Sequence, residues 1–263
     1  MPMYDFHMHS RVSYDAESDP MEMALAAKAA GIREICFTDH IDYCLGACHE
    51  DISFTPGQYR NAYRKIKIPG LLIRQGVELG LTVWNKKEAT EDAAAIPYDF
   101  IIGSIHHVDN IDIYLPEFWR DKTPREAERR YLETMLECVK IHDAFDVLGH
   151  LTYVSKSPCN PAPRIIPLDD YREIVEEILD TLVRKGKGLE INTSGLDRIG
   201  DFFPGREYLR RFRELGGEIV TVGSDAHTLN RVGRQIPEAL DVLKEIFGYV
   251  CTFEGRKPVF HRL

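Results

Sequence analysis

Short apolar segments alternate with longer amphipathic or charged ones along this whole chain, and that alternation limits the folds open to it. The apolar segments span residues 4–9, 34–37, 71–79, 100–105, 145–148, 189–192 and 218–222, each of strand length. Residues 20–30, 55–66, 86–94, 124–142, 168–185, 204–215 and 230–247 carry helical patterning, several with proline in or near the first turn, where its missing N–H is harmless. Seven strand and helix pairs in sequence predict an α/β protein with a parallel sheet and helices outside it, open or closed. At 263 residues the chain has the size of one α/β barrel, so we expect a single domain over residues 1–263. The last stretch, 249–263, has Gly255 between two apolar runs and predicts a hairpin that closes one edge or end of the barrel.

Composition narrows the partners. Lys plus Arg total 33 against 42 Asp plus Glu, a net charge of -9, which argues against attraction to nucleic acid or anionic membrane. No apolar run approaches the roughly 20 residues that span a bilayer. Residues 1–10 lack a basic start followed by an apolar stretch, so the expected location is cytoplasmic. Six scattered cysteines then predict reduced thiols. Cys44, Cys48 and His49 lie close together, but a fourth ligand is missing and ordinary cysteines are the better reading. Segments 41–54, 110–123 and 155–167 are the candidate long loops, where substrate contacts are sought first.

The strand ends carry the chemistry. Of ten histidines, His7, His9, His40, His106, His107, His150 and His227 fall at the C-terminal ends of the predicted strands. In a parallel barrel those ends share one rim, so residues more than two hundred positions apart converge. His7-Met8-His9 on a strand points two imidazoles to one face, as one metal ion requires. Imidazole with carboxylate suits zinc, manganese or iron. A lone Gly-His or His-x-His is a weak signal, yet so many buried polar groups at one rim have no structural purpose of their own. His107, next to His106, points the other way on a strand and is assigned a supporting or substrate-contacting role.

The ordered set His7-x-His9, Thr38-Asp39-His40, Gly76-Val77-Glu78, Ser104-Ile105-His106, Gly149-His150 and Gly223-Ser224-Asp225-Ala226-His227 resembles the polymerase and histidinol phosphatase (PHP) superfamily. The resemblance implies a distorted (β/α)7 TIM-like barrel with three divalent ions, zinc, manganese or iron, at the C-terminal rim. It implies one ion on His7, His9, Glu78 and Asp225, a second on Glu78, His106 and His150, and a third on Asp15, His40 and His227. Asp15 departs from the histidine of many relatives.

Residues Glu190-Ile191-Asn192-Thr193-Ser194-Gly195-Leu196 resemble the histidinol-phosphate phosphatase branch. That branch implies hydrolysis of L-histidinol phosphate to L-histidinol and phosphate, in histidine biosynthesis, by attack of a metal-bridged hydroxide, with Glu78, Asp225 and His227 in catalytic roles. Three divalent ions bring six positive charges, and Asp15, Glu78, Asp225 and a hydroxide remove four, leaving about plus two for a phosphate dianion. Arg164 and Arg198 are the expected phosphate contacts, since guanidinium meets two phosphate oxygens at once. Trp119, with Phe118, is expected to pack on a flat leaving group, and His107 to contact substrate. The expected partner is a small phosphate ester, without nucleic acid or membrane. A nucleotide phosphatase or oligonucleotide exonuclease and a silent metal-binding module stay as alternatives. An amidohydrolase is disfavoured because no strand presents a lysine at its end.

Overall fold

Strands covered on both faces need continuous apolar runs, and here the runs are met by helices outside and by one another inside. The computed structural model describes residues 2–45 and 52–263. Its elements begin with β1 (Met3–Met8), α1 (Pro20–Ala29), β2 (Ile32–Phe37), β3 (His40–Ile41), α2 (Pro56–Tyr63), β4 (Leu72–Gly80), α3 (Lys86–Ala95) and β5 (Phe100–Ser104). They continue with β6 (His107–Val108), β7 (Ile111–Asp112), α4 (Pro116–Trp119), α5 (Pro124–Ile141), β8 (Val147–Leu148), α6 (Arg172–Arg184) and β9 (Gly188–Asn192). The last are α7 (Arg206–Glu214), β10 (Val220–Gly223), α8 (Ile236–Ile246), β11 (Tyr249–Glu254) and β12 (Lys257–Arg262). No helix among the described residues is long and apolar enough to cross a membrane.

The sheet runs β1-β2-β4-β5-β8-β9-β10 with parallel pairing, and β3 continues β2 along β4 after a break at Thr38 and Asp39. The first and last strands meet at the rim, where Asp225 N–H donates to the His7 carbonyl at 2.7 Å and His9 N–H to the Ala226 carbonyl at 2.9 Å. Below that point a buried side chain joins them. Asp5 accepts from the Ser224 N–H at 2.9 Å, the Ser224 hydroxyl at 2.5 Å and the Gly233 N–H at 3.1 Å. Burial pushes the Asp5 carboxyl up from its ordinary value, against the pull of these donors. The result is the TIM-like seven-stranded barrel the sequence predicts, nearly closed and with one seam.

Local chemistry sets the helix ends. Thr123 caps α5 with a capping box, its hydroxyl accepting from Glu126 N–H while the Glu126 carboxylate accepts from Thr123 N–H. Ala127, Tyr131, Leu132, Met135, Cys138 and Val139 then recur at helical spacing and are buried. Two expected helices start late. Residues 168–171 form a 3-10 turn before α6, and α8 begins only at Ile236 because Gly233 and Gln235 take left-handed φ of 67° and 60°. The expected loop 110–123 contains β7, which pairs with β6 in a two-residue hairpin whose Asp109 and Asn110 have φ of 53° and 62°.

The terminal hairpin β11–β12 turns at Gly255 and Arg256 and covers the end opposite the rim. Phe253 packs on Phe100 with ring centroids 4.7 Å apart, and His261 stacks on Tyr4 at 4.6 Å. Arg256 donates to Asp146 at 2.5 Å and to the Ala144 carbonyl at 2.8 Å. Replacing it strands a largely buried carboxylate. Arg256→Ala is expected to lower unfolding free energy by about 1.5–3 kcal/mol in urea titration while leaving metal content intact, and an unchanged midpoint would contradict the plug role.

Candidate metal centre

A parallel barrel delivers the C-terminal ends of its strands to one rim. The focus of that rim is Glu78, wholly buried at the end of β4. Its Oε1 lies 2.8 Å from His150 Nε2 and 3.3 Å from His106 Nε2. Its Oε2 lies 3.0 Å from His7 Nε2, 3.1 Å from His40 Nδ1 and 3.5 Å from His9 Nε2. Asp225 Oδ1 stands 3.3 Å from His9 Nε2 and 3.7 Å from His7 Nε2. Asp15 Oδ2 stands 3.0 Å from His227 Nε2 and 3.5 Å from His40 Nε2. The fold therefore gathers every expected ligand into one cluster.

Backbone geometry admits that density. His7 in β1 and His9 just past its end both turn to Glu78, while Met8 between them packs in the core. Gly223 lies so close to His7 and Glu190 that any side chain there would displace them. Asp225 adopts φ of 56°, a left-handed conformation uncommon for a residue with a side chain, at the point where its carboxylate meets His7 and His9.

The imidazoles are oriented from behind. His7 Nδ1–H donates to Glu190 Oε1 at 2.6 Å, and His106 Nδ1–H donates to Asp42 Oδ1 at 2.8 Å. Behind His9 the donor is fixed by counting protons. The Ser13 hydroxyl donates its one proton to Asp39 at 3.0 Å and accepts the His40 N–H at 3.0 Å. Its remaining lone pair must accept His9 Nδ1–H, at 3.1 Å, which leaves His9 Nε2 as a bare lone pair facing the carboxylates.

Electrostatics point the same way. Burial alone would depress His7 and His106, but Glu190, Glu78 and Asp225 around the first, and Asp42 and Glu78 around the second, hold both well above the usual imidazole range. His40 is opposed by burial yet pushed up to about 9 by Glu78 and Asp15. His9 falls to about 3 through burial and the neighbouring His227 and His40. Glu78 and Asp225 sit well below the carboxylate range because, against burial, His7 leads the charges around each.

These buried carboxylates demand cations, and His9 Nε2 is buried without a hydrogen bond. Donor atoms within 4.8 Å of one another recur in overlapping sets: His7 with His9 and Glu78, Glu78 with His106 and His150, and His9 with His40 and His227. Such nitrogen and oxygen sets fit divalent metal ions.

Two cavities border the cluster. One, of about 260 Å³, meets it at Asp225 and His227 and is lined by Lys156, Ser194 and Arg231 among others. The other, of about 180 Å³, meets it at Asp15, His40 and His106 and is walled by Tyr14, Asp112, Tyr114 and Tyr153.

Three of the expected substrate contacts lie elsewhere. Arg164 pairs with Glu128 at 2.6 Å and Asp170 at 2.8 Å, because the wholly buried Glu128 needs a cation. Trp119 is buried and its Nε1–H donates to the Ile113 carbonyl at 2.8 Å and Ser157 at 3.0 Å, so it ties loops together. His107 belongs to the β6–β7 ribbon, opposite Asp112, and lines neither cavity. Arg198 does approach the rim loop, donating to the Ser157 carbonyl at 3.1 Å. Cys44 is free, and Cys48 and His49 lie outside the described residues.

Sequence reasoning missed Lys156, whose ammonium stands 3.1 Å from Ser194 Oγ and 3.8 Å from Asp225 Oδ2. It also gave no role to Glu190, Asp42 or Ser13. A charge inside the apolar strand 189–192 was a signal for Glu190, and the two-residue spacing from His40 was one for Asp42. Ser13 had none.

A family model described as PHP domain matches residues 5–194. The chain is 33% identical to a histidinol-phosphatase of Lactococcus lactis, over 98% of this chain and 96% of that protein. It is 32% identical to a probable histidinol-phosphatase of Thermotoga maritima, over 99% of this chain and 100% of the relative. The structure resembles that of histidinol phosphate phosphatase from L. lactis complexed with zinc, L-histidinol and phosphate, with a TM-score of 0.86 over 98% of both chains at 33% identity.

Metal must displace the protons that now balance the carboxylates. Zinc added to chelator-stripped protein at pH 7.5 is expected to release protons, read with a pH indicator, and to release fewer as pH approaches the His40 value of about 9. The raised His40 also adds stability to the metal-free protein, complete below the ordinary value of 6.5 and lost as pH rises through about 9. Proton-neutral zinc binding at pH 7.5 contradicts this picture.

Proposed function

We infer, from the premise that this chain belongs to the PHP domain family, that it hydrolyses L-histidinol phosphate to L-histidinol and inorganic phosphate. One observation carries the reading: Glu78 lies within 3.5 Å of five imidazole nitrogens, in a fold matched end to end by a phosphatase that holds zinc, L-histidinol and phosphate. The protein is a phosphoric monoester hydrolase of the kind that serves histidine biosynthesis.

We assign three ions to the cluster: one to His7, His9, Glu78 and Asp225, one to Glu78, His106 and His150, and one to Asp15, His40 and His227. Support comes from the overlapping donor sets and from the approach of Asp15 to His40 and His227. Zinc, manganese or iron would supply Lewis acidity, lowering the pKa of a bound water and drawing charge from the phosphoryl oxygens.

The chain's own part is positioning and charge. Glu78 presents one oxygen to each half of the cluster and so sets its spacing. Glu190, Asp42 and Ser13 hold His7, His106 and His9 with Nε2 toward the site. Arg198, anchored on the carbonyl next to Lys156, is retained as a phosphate-binding candidate, and Arg164 is reassigned to holding α5.

Purified protein protected from chelators is expected to carry close to three transition-metal ions per chain and to prefer L-histidinol phosphate over nucleotide monophosphates. Glu78→Gln should reduce kcat by more than the roughly 100-fold that loss of an outer supporting group causes. Wild-type turnover in that variant would overturn the assignment, and metal content near one in active protein would remove the three-ion arrangement.

A further inference from the structure

Acids outnumber bases in this chain, 42 Asp and Glu against 33 Lys and Arg, yet residues 52–77 reverse the balance. That stretch contains Arg60, Arg64, Lys65, Lys67 and Arg74 and neither Asp nor Glu. It spans α2, the turn after it and the first part of β4. Several arginines elsewhere are met by acid: Arg130 by Asp109, Arg164 by Glu128 and Arg210 by Glu245. Within the stretch, Arg74 is met by Glu34 and Glu254. The Arg60 and Arg64 side chains form no hydrogen bond or ion pair among the described residues.

Helical spacing brings those two guanidinium groups together. Gly57, Arg60, Asn61 and Arg64 fall at i, i+3, i+4 and i+7, so they share one face of α2, and with Gln75 of β4 they line a depression of about 440 Å³. No acid lines it. Asp99, which adjoins Gln75, accepts from the Gln75 N–H at 3.2 Å and from the Gly255 N–H at 3.0 Å, so its carboxylate is turned to backbone. A side chain at Gly57 would meet only Thr55 Oγ1, at 3.9 Å, and the glycine leaves that end of the depression open.

The helix that carries the arginines is fixed on its other side. Thr55 and Gln58 close a capping box, Tyr59 and Tyr63 are buried, and the Tyr59 hydroxyl donates to the Gly76 carbonyl at 2.8 Å while the Tyr63 hydroxyl donates to Asp39. Two like charges are therefore held one turn apart, where they repel each other unless an anion comes between them.

We propose that this depression is an anion site for the phosphate group of a small phosphorylated molecule, separate from the metal centre. It shares no residue with either rim cavity. Two guanidinium forks match the two charges and three terminal oxygens of a phosphomonoester, and the Asn61 and Gln75 side chains add amide N–H donors. A single carboxylate has one charge and two oxygens, and leaves one guanidinium unanswered. The site does not depend on which ester the metal centre hydrolyses.

The test titrates zinc-loaded, nitrogen-15-labelled protein with inorganic phosphate at constant ionic strength and follows its amide resonances. Those of residues 57–64, with the Asn61 and Gln75 side-chain amides, are expected to shift together and to saturate, half of the change falling at about 1 mM. Phosphate also has access to the metal centre, so one protein carrying both Arg60→Gln and Arg64→Gln is the control. It should bind phosphate at α2 about 10-fold more weakly or worse, while keeping its zinc and the shifts around Asp225. Acetate should bind the wild-type site about 10-fold more weakly than phosphate. Shifts in α2 that persist in the double variant would originate at the metal centre and overturn the proposal. A drift that never saturates, or acetate that binds as tightly as phosphate, overturns it too.

Discussion

A carboxylate sealed from water must have positive charge against it, and Glu78 imposes that demand on the whole rim. Five imidazoles from β1, β3 and the segments following β5 and β8 answer it, and they in turn recruit Asp225, Asp15, Asp42 and Glu190. Without metal, protons on His7, His40 and His106 balance the account, at the expense of burying charged pairs that a hydrophobic core would not contain. Divalent ions replace those protons with higher charge at fixed positions. The arrangement is therefore organised for cations before any cation arrives.

The barrel makes such a cluster possible because strand closure and ligand placement are the same event. The hydrogen bonds that join β1 to the end of β10 come from Asp225 and His9, two members of the buried cluster, so the seam closes where that cluster lies. Asp5 secures the same seam one layer below through Ser224 and Gly233. At the far end, the β11–β12 hairpin covers the barrel with Phe253, His261 and Arg256. Stability and function thus occupy opposite ends, a division common to parallel barrels.

The barrel strands, the rim and the cluster of histidines and acids gathered there were legible in the sequence because each depends on local pattern: an apolar run, its C-terminal end, and histidine or acid there. What was not legible depends on partners distant in sequence. Arg164 looked available for phosphate until Glu128, 36 residues away, was found buried beneath it. Trp119 looked like a stacking surface, but its N–H is taken by Ile113 and Ser157. Lys156 lies in a proline-rich loop whose sequence gives no sign that it meets Ser194 and Asp225. Ser13 carries no motif, and its role follows only from counting the protons around one hydroxyl.

The central claim is that Glu78 is shared between metal ions at the rim. A crystal structure of protein prepared with zinc, with anomalous scattering recorded above and below the zinc edge, tests it most directly. We expect one anomalous peak within coordinating distance of Glu78 Oε2 and the His7 and His9 Nε2 atoms, and another near Oε1 with His106 and His150. Zinc bound elsewhere, with Glu78 still closed on its histidines, would contradict it.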